Sequence, residues 1–151
     1  MTAERVEDLY YVSVDADLDG MEFLAPFSYE QMAAEYNGIG PESLSEKQRK
    51  KLTKWLKLFE PACLIHDMRF SVSDGQRQAF NYANMELRDN CLKLSSWAYG
   101  WYNWKRYRAR FAARVMYAAV CTPAGWEVWQ KCAKKDALKP VKCNGTGFAI
   151  V

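Results

Sequence analysis

The chain has 151 residues, half of them apolar, with 6 Trp, 9 Tyr and 7 Phe and a formal net charge of +3. That suffices for one domain with a packed core and no metal or disulfide staple, and so small a net charge does not by itself point to nucleic acid. No apolar run approaches the roughly 20 residues of a membrane span, and no basic-then-apolar leader opens the chain, so synthesis and folding in the cytoplasm are expected.

Residues 1–27 read as an acidic, extended segment: Glu4, Glu7, Asp8, Asp15, Asp17 and Asp19 stand against Arg5. Within it Leu9-Tyr10-Tyr11-Val12-Ser13-Val14 is β-prone and Asp17-Leu18-Asp19-Gly20 is turn-forming, which allows at most a small hairpin. The alternation of Asp15, Asp17 and Asp19 lacks the later glycine and terminal glutamate of an EF-hand, so a turn is the reading here.

Ser28 with Gln31 forms a capping box for a short helix ending at Tyr36. Asn37-Gly38-Ile39-Gly40-Pro41 breaks the chain. Ser45 caps a basic helix over 46–59, with Leu52, Trp55, Leu56 and Phe59 on one face. Pro61 suits the first turn of a helix over 61–70, and Ser73-Asp74-Gly75 is a turn. A helix over 76–94 carries Phe80, Ala83, Leu87 and Cys91 at helical spacing. Residues 95–101 read as an aromatic loop and 102–121 as a long helix that Pro123-Ala124-Gly125 stops. A short helix over 126–135 and an irregular tail, 136–151, complete the chain. The fold class is all-α: one domain, its helical core spanning 28–135.

The single histidine, His66, sits beside Asp67 in Pro61-Ala62-Cys63-Leu64-Ile65-His66-Asp67-Met68-Arg69-Phe70. Helical spacing puts Cys63, His66, Asp67 and Phe70 on one broad face. Upstream, a glycine loop offers backbone carbonyls, which are hard oxygen ligands, and a carboxylate would complete a calcium site. A neighbouring imidazole then serves as base towards water in metal-assisted ester hydrolysis.

This combination resembles the phospholipase A2 family, including its small bacterial and phage members. The pieces are Asn37-Gly38-Ile39-Gly40-Pro41, the His66–Asp67 helix, and Ala83-Asn84, Leu87 and Asn90 on the helix after it, about a third of the chain. The resemblance implies an antiparallel helix pair with His66 as general base. It implies Asp67 and the carbonyls of Gly38 and Gly40 as calcium ligands, a carboxylate orienting His66, and a tyrosine steadying that carboxylate. The chain departs from the pattern twice: Asn84 stands where the carboxylate is expected, and Phe70 where the tyrosine is. Asp89 takes the orienting role only in a different register, and Arg69 beside the ligand position opposes a cation.

The resemblance therefore implies a degenerate active site and a scaffold kept for binding or structure, with a phage-encoded virion component or host-directed protein as the expectation. An active calcium-dependent lipid esterase is the alternative, and a nucleic-acid-binding helical domain trails both. Of the five cysteines none forms a CxxC pair, which argues against zinc. Cys63 and Cys91 would face each other where secreted family members place disulfides; without an export signal they read as packed thiols.

Trp97, Tyr99, Trp101, Tyr102, Trp104 and Tyr107 interleave with Lys105, Arg106, Arg108 and Arg110. The leading reading puts most of these rings in the core with arginines laid over them. The next makes Trp101, Trp104, Arg106, Arg108 and Arg110 a protein-binding surface. Lipid or nucleic acid comes last. Expected partners are accordingly a protein or further copies of the chain, with anionic lipid behind them.

Overall fold

The computed structural model describes residues 1–36, 47 and 56–134. Among these every regular element is helical: α1 (Ala3–Asp15), α2 (Met21–Leu24), α3 (Tyr29–Glu35), a 3-10 turn (Lys57–Phe59), α4 (Glu60–Ser71), α5 (Arg77–Ala98), α6 (Trp104–Val120) and α7 (Pro123–Lys134). The all-α expectation holds. No helix among the described residues is long and apolar enough to cross a membrane. The glycine loop with Gly38 and Gly40, most of the basic helix expected over 46–59, and the tail from residue 135 lie outside the described residues.

The acidic N-terminal segment is helical rather than extended. Thr2 caps it by accepting the Arg5 N–H, and Val6, Leu9 and Ser13 form its buried face. That spacing suits a helix lying on α3 and α4, and burial on one face outweighs the β preference of Tyr10, Tyr11 and Val12. The capping box at Ser28 and Gln31 forms as expected, each side chain bonded to the other's backbone N–H at 3.2 and 2.9 Å.

Two further boundaries differ. The aromatic loop begins later, because α5 continues through Ser95 to Ala98; the buried Ser95 hydroxyl donates to the Cys91 carbonyl at 2.7 Å, and Leu94 extends the core face. Pro123-Ala124-Gly125 ends α6 but also opens α7, with Pro123 where its missing N–H costs nothing. Gly125 is required there, since a Cβ would run into the Val120 carbonyl.

α4 and α5 form the centre. Phe70 meets Phe80, and His66 meets Asn84; ascending residues on one helix meet descending ones on the other, so the pair is antiparallel. α1 and α3 cover α4, α6 covers α5, and α7 touches α4 and α6. The core contains Val6, Leu24, Met32, Phe59, Leu64, Ile65, Met68, Leu87 and Leu94, all nearly or fully buried. Each such side chain contributes about 1.5–3 kcal/mol. A smaller aromatic cluster of Phe70, Phe80, Trp126 and Trp129 closes the far end of the pair.

Candidate functional site

Pro61, preset for the first turn, starts α4 so that His66 arrives against α5. The His66 Nε2–H donates to Asn84 Oδ1 at 2.9 Å, and both residues are buried. Asn84, not Asp89, is thus the partner of the imidazole. Asp89 lies on an exposed part of α5 and accepts from its neighbour Arg88 at 2.8 Å. Phe70 lies against the His66 ring with centroids 4.5 Å apart, and Trp129 stands edge-on to Phe70 at 4.9 Å. The Asn84 Nδ2 group is buried and has no hydrogen-bond partner among the described residues.

The other ring nitrogen, Nδ1, lies 3.9 Å from Asp67 Oδ1, too far for a hydrogen bond. Tyr36, the last described residue before the glycine loop, is buried nearby. Burial, then its electrostatic interactions with Cys63, Glu60 and Asp67, pushes its hydroxyl well above the usual tyrosine range. Burial likewise pushes the Cys63 thiol up, with Cys91 and Asp67 adding to it, and burial alone raises Cys91. Both thiols are free and buried.

Arg69 is not an unbalanced cation beside Asp67. It donates to both carboxylate oxygens of the buried Glu86, at 3.0 and 2.9 Å, and lies 4.0 Å over the Phe23 ring. Buried Glu60 is likewise held by Arg5. These two ion pairs, and the Asn90 side chain that accepts from the Asp19 N–H at 2.8 Å and donates to the Asp19 carbonyl at 2.9 Å, escaped the sequence reading. Their separations of 17, 55 and 71 residues leave no local signal.

The calcium ligands implied by the resemblance are only partly within the described residues. No group of three His, Cys, Asp or Glu side chains converges there. Of the expected ligands Asp67 is described, while Gly38 and Gly40 lie outside the described residues; Glu60 is paired with Arg5. Among the described residues, two surface cavities of about 240 and 620 Å3 are lined by other residues than His66 and Asp67: the first by Leu58, Tyr99, Trp104 and Arg108, the second by Phe23, Arg69, Tyr82 and Trp129.

The aromatic and basic stretch is the opposite of a core. Tyr102 is 80% exposed, Trp101 74%, Phe111 65% and Tyr107 63%, while the side of α6 facing the interior is made of Ala112 and Ala113. Arg108 stacks over Trp104 at 5.0 Å. Arg106 instead donates to Ser96 at 3.0 Å, and Arg110 is half-buried, so these two are less available than the sequence suggests. Comparison with protein-family models, curated proteins and solved structures gives no match.

Proposed function

We propose that this chain is a phospholipase A2-like helical scaffold whose His-Asp pair is framework, and that it acts as a binding or structural protein. The observation that carries the reading is the buried His66–Asn84 hydrogen bond of 2.9 Å. A neutral amide holds an imidazole in one tautomer, but it does not offset the charge the ring gains on taking a proton. In a serine protease the corresponding exchange of aspartate for asparagine costs about 10⁴ in turnover. Phe70, packed on the ring where a hydroxyl would serve catalysis, supports the same conclusion. The exposed aromatic rings on α6 support binding, because Trp, Tyr and Arg dominate the energetics of protein contacts.

The test is fatty-acid release from mixed anionic phospholipid vesicles, with calcium or with chelator, comparing the protein with its His66→Ala variant. The expected outcome is no calcium-dependent release above the variant. Release that disappears in His66→Ala would replace this reading by the lipid esterase, for which Nδ1, 3.9 Å from Asp67, is the favourable feature.

A further inference from the structure

α1 and α6 rest on different helices, α1 on α3 and α4 and α6 on α5 and α7. Their outward faces differ in charge and match in length. On α6, Trp104, Tyr107, Phe111 and Val115 recur every three or four residues, all exposed and all opposite the buried Ala113. Such spacing makes a single apolar seam along a helix. Arg108 and Arg114 flank it, and α6 has no acidic residue. On α1 the outward residues are Glu4, Glu7, Asp8, Tyr11, Val14 and Asp15, with Tyr11 and Val14 exposed among the carboxylates. Its one cation, Arg5, is turned to Glu60 and Asp8. Both stripes cover 11 residues of rise, about 17 Å.

From this complementarity we infer that α1 of one copy docks on the outward face of α6 of the next, head to tail. The inference deepens the binding reading above and rests on it, the partner being a second copy of this chain. Two α6 faces brought together would set cations against cations, whereas α1 against α6 sets carboxylates beside arginines and Tyr11 and Val14 beside the aromatic seam. An anionic bilayer would satisfy α6 but would repel the acidic face and leave its exposed apolar residues unexplained. Because the two faces are different and lie on different helices, one contact leaves each copy with an open face. Assembly therefore proceeds beyond the dimer.

The test is sedimentation velocity of the full chain over a wide concentration range at low and high salt. Mass should rise past the dimer with concentration, and salt beyond the screening range should weaken the association roughly tenfold or more. Trp104→Ser with Phe111→Ser removes the seam, and Glu7→Lys with Asp8→Lys reverses the acidic face. All four positions are on the surface or half-exposed, and unchanged circular dichroism checks that each variant folds. Each variant alone should stay monomeric. Mixed, they should form a dimer and nothing heavier, since only the acidic face of the first and the aromatic face of the second remain intact. A wild-type protein that stays monomeric throughout overturns the inference, as does assembly indifferent to the α1 variant. A monomer that co-sediments with phosphatidylglycerol vesicles makes a bilayer the occupant instead. Mass is read independently of fatty-acid release, so failure of the scaffold reading and failure of this one are told apart.

Discussion

The seam between α4 and α5 and the outward face of α6 place their residues against the usual preference. In the seam, polar side chains that normally face water are buried and matched: His66 with Asn84, and Glu86 with the part-buried Arg69; at the adjoining α1–α4 contact buried Glu60 is matched by Arg5. On α6, Trp104, Tyr107 and Phe111, which normally fill cores, face outward while alanines take the interior. The seam therefore holds its stability in a few specific pairs, each costly to break from one side. The outer face holds little stability and is free to be spent on a partner.

The comparison is broken most directly at the largest expected effect. Arg69→Ala leaves the carboxylate of Glu86 buried without its bidentate partner, and a loss of about 3–5 kcal/mol in chemical denaturation is expected. A loss below about 1 kcal/mol, the scale of a surface pair, would mean that Glu86 reaches water and that the seam is not closed.

Next comes Asn84→Ala, which orphans the His66 Nε2–H and opens a cavity beside it; about 2–3 kcal/mol should be lost. Asn84→Asp sharpens the same point. The new carboxylate favours the imidazolium, so His66 should hold its proton to higher pH than in the parent, read from the imidazole resonances in a pH titration by NMR. An unmoved titration would contradict the contact.

Alkaline pH offers a smaller, graded effect. Tyr36, Cys63 and Cys91 keep their protons in the folded chain above their ordinary values of 10.0 for tyrosine and 9.0 for cysteine. Above about pH 9 the unfolded chain sheds protons that the folded chain retains. Stability is thus full below that pH and falls as it rises, by up to about 1.4 kcal/mol per pH unit for each group. Melting temperatures followed from neutral to alkaline pH check this. A thiol reagent should at the same time modify the partly exposed Cys121 well before Cys63 or Cys91.

The smallest effect is expected outside. Trp101→Ser, removing one of the largest side chains in the protein, should change the stability of the monomer by no more than about 0.5 kcal/mol, because the ring is 74% exposed. A loss of several kcal/mol would return Trp101 to the core and remove the contrast between the two regions.

Several features were legible in the residues themselves. Ser28 and Gln31 spell a capping box and Pro61 marks the first turn of α4, whereas the match of Asn84 with His66 came only as an implication of the family resemblance, with Asp89 as its alternative. Each of the first two is local. The N-terminal helix was not legible because Leu9-Tyr10-Tyr11-Val12 is β-prone on its own; only α3 and α4, on which Val6, Leu9 and Ser13 close, make the helical period the useful one.

The orientation of α6 shows the same division most plainly. Its sequence offers two apolar faces, one of large rings and one of Ala109, Ala112, Ala113, Met116 and Val120, and hydrophobicity alone sends the rings inward. Small side chains let a neighbouring helix approach closely, and the packing of α5 takes the alanine face. Composition, periodicity and caps thus determined the all-α class and, from Ser28 onward, the helices of the described chain to within a turn or so, because those signals act locally. Which face lies inward and which charges are matched was decided by tertiary structure, because those energies exist only between residues that folding brings together.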